Sequence, residues 1–599
     1  MHHYRSHLRD LEFCLFEWLR VQDTVLGQGP FEGIDEASAR DALTALEKLA
    51  RTELAASFVE SDRVPLKLDD EGNVALPDGI KKSFDSFYEG GWHLFEAPSH
   101  ADGFNAPPSV GWAGSEMVVG SNPVVGLYSF GALVARVIDR VGTDAQRSRF
   151  VRPILENRWG GTMMLSEPQA GSDVGEGTTR ARPLEDGTWA LEGTKCWITN
   201  GDFDAVDNIV HLVLARPEGA GPGTKGLSLF IVPKFWVEED GRPGERNGVF
   251  VTSIEDKMGI KGSATCVMNL GENRPCRGFL AGEVHDGIRQ MFQVIEQARM
   301  FVGVKSMATL STAYLNALEY AKERVQGPDL AKAADKTSPR VRIIEHPDVR
   351  RALMTLKAHA EGMRALVFYA AHTQDRVELK GGHGHSEAKE DDRLNDLLLP
   401  LIKGYCSEKA AELLPVALQV FGGSGYVKDH PMEQYIRDQK IDTLYEGTTH
   451  IQALDLIFRK VMRDGGATLR TLLGHAGKVA AEAPEEEGKP LTQALGQLQQ
   501  IFAALAEKAT ESVYHVGFQG NRVLFAVAET VIGCLLVEQA AVARAALQQT
   551  SGDEAKDFYL GKLAAARFWC LEVLPNVRLC LKHVESSRVE LMELPETAF

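Results

Sequence analysis

The feature that most limits the fold is a change of hydrophobic period inside an otherwise helical chain. From about Gly160 the segments TWALEGTKCWITNG, NIVHLVLARP, GLSLFIVPKF and GVFVTSIEDKMG are short apolar or alternating runs. Turn-rich pieces such as PEGAGPGTKG and EEDGRPGERNG separate them. Period-two runs broken by turns predict a compact all-β domain with hairpin loops. Both flanks read differently. DEASARDALTALEKLARTEL repeats its apolar residues at helical spacing behind an acidic start, and NPVVGLYSFGALVARVIDRVG predicts a buried helix capped near Gly142. After GEVHDGIRQ long helical periods return, and past Gly465 and Gly466 a further helical stretch, VLFAVAETVIGCLLVEQAAVARAALQ, follows an exposed connector, AEAPEEEGKP. At 599 residues the chain exceeds what one core supports. The expectation is an α+β multidomain protein: an N-terminal helical domain over 1–159, a central β-domain over 160–284, a helical bundle over 285–465 and an additional C-terminal helical domain over 466–599.

Charge removes several function classes. The net charge of −18 repels nucleic acid and anionic membrane surfaces. Eight cysteines are scattered with no CxxC spacing, so they read as buried small hydrophobes in a reducing compartment. The N-terminus has no signal-peptide core, and no apolar run reads as long and clean enough to span a membrane, so a cytoplasmic location is expected. His383 and His385 lie in a polar insert, KGGHGHSEAKEDD, without further ligands spaced around them, and read as a solvated loop; no metal is expected.

Three segments carry glycines and small residues of the kind that let backbone approach a large ligand. MMLSEPQAGSDVG opens the β-region. KCWITNG lies on an expected strand whose alternation puts Trp197 and Thr199 on one face, where an indole and a hydroxyl can wall a flat ring; a packed cross-strand position is the alternative. QVFGGSGYVKDHPMEQYIRD follows a helix rather than a strand, so it is not a dinucleotide fingerprint of the Rossmann type. A fourth segment, IDTLYEGTTHIQALDL, places Glu446 between an aromatic and a glycine. Taken alone, that carboxylate either charges a helical first turn or serves as a catalytic base.

Together LSEPQAGSD, KCWITNG, ERVQG after a long helix, and FGGSGYVKDHPMEQYIRDQKIDTLYEGT occur in one order. In that order they resemble the acyl-CoA dehydrogenase family, from the N-terminus to about Lys460. The extra C-terminal module and the early FVESDRVPLKLDDEGNVALPDGIKKSFDSFYEGGW resemble its long bacterial branch, which includes methylmercaptopropionyl-CoA dehydrogenase-like enzymes. The resemblance implies a helical, β and four-helix domain order, with FAD lying between the β-domain and the helices. It gives Ser166 to the flavin pyrimidine edge, Ser172 to the pyrophosphate, Trp197 to the isoalloxazine face and Thr199 to the N5 side. Arg324 and Gln326 would reach the FAD of a neighbouring subunit, and Gln419, Gly422 and Gly423 would hold its adenosine and pyrophosphate end. Family members usually carry an aromatic before the glycine of ERVQG, where this chain has Gln326. A homo-oligomer, minimally a dimer, and an electron-transfer flavoprotein as electron acceptor are implied as well.

The resemblance also separates the two readings of Glu446. Family members carry the base either in YEG or on an earlier helix before an arginine, and the latter position is Ala298 in VIEQARMFVG. Alanine takes no proton, and Glu296, two residues back, points about 200° away on a helix. Glu446 is therefore the expected base for removing the α-proton of an acyl-CoA thioester while the β-hydrogen leaves as hydride. Tyr445 and Gly447 would shape the thioester pocket, and Arg299 would lie near the CoA side; its alternative is an intrahelical pair with Glu296. An acyl-CoA oxidase that reoxidises with O₂ is the nearest rival function. A flavin-containing DNA-binding relative is a more distant one, disfavoured by the acidic C-terminal module.

Overall fold

The computed structural model describes residues 3–99 and 103–599. Its chain divides into two compact units, each built from separated stretches. The first comprises Met1–Tyr4, Asp41–Pro107 and Gly114–Ala298; the second comprises Arg5–Arg40, Pro108–Ala113 and Arg299–Phe599.

The first unit is organised by an eight-stranded sheet. Seven strands run in the order Val249–Ile254, Thr265–Leu270, Trp189–Thr199, Cys276–Ala281, Ser228–Pro233, Ile209–Pro217 and Gly160–Met164. The short strand Arg180–Pro183 pairs off this path with Trp189–Thr199 and Ile209–Pro217. Neighbours are antiparallel except where Ile209–Pro217 meets Gly160–Met164 and Arg180–Pro183. Ile209–Val213 and Leu229–Val232 are buried on both faces, which explains their continuous rather than alternating apolar sequence. One face packs on the helix Gly131–Val141. A Cβ on Gly161 would meet the Val134 side chain at 2.6 Å and the Phe130 carbonyl at 2.9 Å, so this close approach of helix to strand requires glycine. The single helix expected across NPVVGLYSFGALVARVIDRVG is two, Pro123–Tyr128 and Gly131–Val141, interrupted at Ser129 and Phe130.

The second unit is helical. Its long elements include the helix Gly287–Glu323 from Arg299 onward, Pro347–Leu379, Lys389–Leu401 and Ser407–Phe421. Ala467–Glu482, Glu485–Glu511, Tyr514–Gln549 and Asp553–Phe568 follow. The polar insert after Leu379 is a loop, as expected, in which His383 Nδ1 lies 2.6 Å from Asp392. The expected exposed connector AEAPEEEGKP contracts to Ala483 and Pro484. Glu485, Glu486 and Glu487 instead form the first turn of the next helix, where the macrodipole favours anions. Glu487 is buried there and accepts from Arg544 at 2.8 Å.

The helix Tyr514–Gln549 corrects a third expectation, that no apolar run is long and clean enough to span a membrane. Its most apolar stretch, of mean hydropathy 1.8, is long and apolar enough to cross a membrane by composition, yet that stretch is 89% buried within the protein. It packs against Glu485–Glu511, Asp553–Phe568 and Pro347–Leu379. Its all-round apolar sequence is that of a central core helix. The N-terminal segment is tied to the same unit by charge. Asp10, fully buried, accepts from Arg364 at 2.7 Å and from Lys562 at 2.9 Å, and Lys562 also pairs with Glu361 at 3.1 Å.

Candidate active site

The turn carrying Glu446 begins where the helix Met432–Lys440 ends. A short 3₁₀ turn, Ile441–Thr443, follows, and the next helix starts only at Thr449. Glu446 thus lies ahead of the helix rather than in its first turn, so the macrodipole reading does not account for it. Its backbone is left-handed, φ +57°, and Gly447 follows at +87°. A non-glycine residue there costs about 1 kcal/mol or more and persists only where its surroundings enforce it.

The surroundings are specific. Lys403 Nζ donates to the Gly447 carbonyl at 2.5 Å. Gln452 Nε2 donates to the Glu446 carbonyl at 2.9 Å and to that of Gly447 at 3.3 Å. Upstream, Lys305 Nζ holds both oxygens of Asp442 at 2.9 and 3.0 Å and the Asp438 carbonyl at 3.0 Å, all in buried structure. Lys403 lies on a π-turn, Ile402–Cys406, that follows directly on the helix Lys389–Leu401, within which Pro400 cannot donate to the preceding turn. A second π-turn, Asp455–Val461, begins with the partner of Arg299. Arg299 Nη1 donates to Asp455 at 2.7 Å, both residues buried, so the arginine's ion pair is with Asp455 rather than along its own helix.

These groups set the charge state of the acid. Burial raises the half-buried Glu446 carboxyl above the usual carboxylate range, while Arg299 and Lys403 pull it the other way. Burial brings the Lys403 ammonium down to about 8 against the upward pull of Asp442, Glu446 and Glu408. Tyr445, half-buried beside Glu446, has its phenol raised well above its ordinary value by burial and then by Asp442. A carboxylate raised towards neutrality and held on a strained turn is suited to general-base chemistry.

The sequence-derived residues of the first unit cluster where the loop after Gly160–Met164 meets the strand Trp189–Thr199. The Ser166 carbonyl accepts from the Cys196 N–H at 3.0 Å, and Ser172 is exposed on the same loop. Register is lost opposite Cys196 and Trp197: Lys195 pairs with Met268, but Ile198 pairs with Cys266. This bulge carries Trp197 at φ +56° and turns its indole outward, 57% exposed, with Thr199 half-buried beyond it. Beneath it lies an ion pair that the motif reading passed over. Lys195 Nζ donates to Glu167 at 2.8 Å and to the Leu165 carbonyl at 3.0 Å, both side chains almost wholly enclosed. Glu167 also accepts from Thr178 N at 2.7 Å and Thr179 N at 3.1 Å. Burial alone would raise its carboxyl; Lys195 and these donors instead hold it down to about 2.

In the second unit, Arg324 and Gln326 are exposed at the end of the helix Gly287–Glu323, their side chains 3.5 Å apart. Gln419 is exposed on the last turn of Ser407–Phe421, and its carbonyl accepts from Gly422, which ends that helix at φ +59°. Nothing lies within 4 Å of a Cβ built on Gly422 or Gly423, so this backbone is open to a ligand or another chain.

The sequence reasoning missed Lys403, Gln452, Asp455, Lys195 and Glu167. One signal was available: Lys403 is the lone charge in LLLPLIKGYC, a run too apolar for a solvated lysine. Among the described residues, the groups His7–Asp10–Glu361 and His475–Cys534–Glu538 of the second unit have the proximity of metal ligands. Of these, His7, Asp10 and Glu361 already face Lys562 and Arg364, and His475 Nε2 sits 2.5 Å from a Glu538 carboxylate that also accepts from Trp18.

Comparison with known proteins extends over nearly the whole chain. Residues 162–272 match the acyl-CoA dehydrogenase middle domain, 285–462 the acyl-CoA dehydrogenase C-terminal domain, and 468–595 an acetyl-CoA dehydrogenase C-terminal-like domain. The chain is 48% identical to the broad-specificity linear acyl-CoA dehydrogenase FadE5 of Mycobacterium tuberculosis, covering 100% of both chains. It is 36% identical to 3-methylmercaptopropionyl-CoA dehydrogenase of Ruegeria pomeroyi, over 95% of this chain and 96% of that one. The crystal structure of an acyl-CoA dehydrogenase complexed with FAD from Bacillus anthracis shares the fold at a TM-score of 0.72 and 18% identity, over 95% of this chain and 92% of that one.

Proposed function

Because this chain belongs to the acyl-CoA dehydrogenase family, we propose that it desaturates linear acyl-CoA thioesters with Glu446 as the base that removes the α-proton. The enzyme is an acyl-CoA dehydrogenase with FAD as cofactor. The observation that carries the assignment of the base is its setting: a carboxyl raised by burial, on a left-handed turn whose carbonyls are held by Lys403 and Gln452. The preference for linear chains rests on the name of the FadE5 relative.

The residues present fit a flavin. An outward indole on a rigid bulge offers a flat apolar wall, and leaving it in water would forfeit its burial. Ser166 and Ser172 lie on the loop whose Ser166 carbonyl accepts from Cys196 beside that bulge, and Thr199 follows the indole on the same strand. When bound, FAD supplies the acceptor for the hydride. The chain's own part is proton removal: Glu446 takes the α-proton, and its raised carboxyl makes it a stronger base than an ordinary glutamate. Its backbone N–H is the donor proposed for a thioester oxygen as charge develops there. A Cβ on Gly447 would meet Gln452 Nε2 at 2.9 Å and Ile451 at 3.2 Å, so glycine leaves room for the Gln452 contact that holds the turn.

Assembly and electron transfer complete the proposal. Exposed Arg324, Gln326, Gln419, Gly422 and Gly423 are placed to serve a neighbouring copy, which supports a dimer; an active, FAD-loaded monomer in light scattering would refute that part. An electron-transfer flavoprotein is proposed as acceptor, and the eight buried cysteines suit a cytoplasmic location. The test is anaerobic bleaching of the flavin by linear and branched acyl-CoAs, followed by turnover with O₂ or with an electron-transfer flavoprotein. Bleaching by linear substrates with little O₂ consumption is expected; rapid O₂ consumption would make the enzyme an oxidase.

A further inference from the structure

We propose that Lys403 is a positioning residue for Glu446: its ammonium holds the Gly447 carbonyl, and with it the left-handed turn, and its positive charge favours the carboxylate form of the base. This rests on Glu446 being the base. The geometry starts from strain. Two successive residues with positive φ do not hold themselves in that conformation when one is a glutamate. Their two carbonyls are the handles by which the protein can hold them, and both are taken, by Lys403 at 2.5 Å and by Gln452 at 2.9 and 3.3 Å. Fixing both carbonyls fixes the peptide planes that carry the N–H groups of Gly447 and Thr448, and so the backbone from which the carboxylate projects.

Gln452 alone could serve as a neutral pin, so the lysine needs its own reason. Lys195, Lys305 and Lys562, the other enclosed lysines considered above, each touch a carboxylate, Glu167 at 2.8 Å, Asp442 at 2.9 Å and Asp10 at 2.9 Å. Lys403 is equally enclosed but touches a neutral carbonyl, with no carboxylate within ion-pair distance among the described residues. A buried ammonium without a contact anion is costly, and its field is not cancelled locally. The charged groups that act on it are Asp442, Glu446, Glu408 and Arg299. Arg299 also favours the carboxylate form of Glu446, and more strongly, but it has a contact anion in Asp455 at 2.7 Å. Lys403 is therefore the cation acting on the base that has no contact carboxylate among the described residues.

The test compares Lys403→Met, which removes pin and charge, with Gln452→Leu, which removes only a neutral pin. Each holoenzyme is checked for fold by circular dichroism and for FAD by absorbance. Anaerobic stopped-flow bleaching by a linear acyl-CoA is then followed from about pH 5 to about pH 9. Lys403→Met is expected to slow bleaching about 100-fold, the scale of a misplaced catalytic group. It should also move the midpoint of the pH profile up by about one unit, because an opposite charge that favoured the carboxylate is gone. Gln452→Leu should slow bleaching with the midpoint unmoved. An unmoved midpoint in Lys403→Met, or a rate within about twofold of wild type, overturns the proposal, as does the same upward shift in Gln452→Leu. If Lys403→Met does not retain FAD, Lys403→Gln, a neutral donor, must still move the midpoint upward or the proposal fails. Bleaching by Glu446→Gln at near wild-type rate would instead refute the assignment of the base, whatever the Lys403 variants do.

Discussion

Trp197 and Glu446 are placed by the same device, and the roles proposed for them differ. Each sits at a positive φ that its side chain disfavours, and each has an enclosed lysine beneath it. Under Trp197, the Lys195 charge is consumed by Glu167, whose carboxyl also gathers the N–H groups of Thr178 and Thr179. That network is electrically closed; it fixes the loop after Gly160–Met164 against the strand and makes a rigid wall. Under Glu446, the lysine grips a carbonyl and its charge acts on the carboxyl proposed as the base. A binding surface needs only geometry, whereas a base needs geometry and a tuned charge.

The largest expected effect strikes the charge side of this contrast. Glu446→Gln should retain fold, FAD and most acyl-CoA affinity, since volume and backbone N–H are kept, while flavin bleaching falls by about 10⁴-fold, the upper end for loss of a general base in a site closed to water. Stopped-flow bleaching with a separate titration of acyl-CoA binding checks it. Near wild-type bleaching would erase the distinction between the two strained positions.

Next comes the wall's foundation. Glu167→Gln leaves Lys195 as an uncompensated buried cation and should cost about 3–5 kcal/mol of stability, read as a lowered melting temperature and easier loss of FAD. The sign of its pH dependence follows from a carboxyl held at about 2 in the folded chain, below its ordinary value of 4.5. The folded state then binds the proton less readily than the unfolded state. The stabilisation is complete above the unfolded value and is lost as pH falls from there towards about 2. The melting difference between wild type and Glu167→Gln should narrow over that interval; a difference independent of pH would mean that the ion pair is not what holds the wall.

Trp197→Ala should be milder, because it removes the wall and not its support. A fall in FAD affinity of about tenfold, roughly 1.4 kcal/mol, is expected with an unchanged melting temperature of the apoprotein. Equilibrium dialysis against FAD measures it, and a melting temperature lowered as far as in Glu167→Gln would make the indole part of the support. The smallest effect is reserved for Glu296→Gln, which removes an acid that the reading gives no part in proton transfer. Bleaching within about twofold of wild type is expected, the scale of about 0.5 kcal/mol. A pH profile that moved as strongly as in Lys403→Met would shift the tuning charge away from the Lys403 side.

What the amino-acid sequence determined by itself is local in origin. The change from helical period to period two near Gly160 announced the sheet, because the spacing of apolar residues is the spacing of one face of an element. Glycines announced the open turn at Gly422, and the alanine at 298 left Glu446 as the base that the family resemblance requires. What only the tertiary structure decided joins residues that the chain keeps apart. Lys403 reaches a carbonyl 44 residues on, and Arg299 an acid 156 residues on. The bulge that exposes Trp197 depends on the register of a neighbouring strand. The acidic run after Pro484, polar enough to read as a connector, became a helix start because Glu487 finds Arg544 57 residues later. Period and turn chemistry are fixed by neighbours within a few residues, whereas the energy of a buried charge depends on which distant group the fold brings to it.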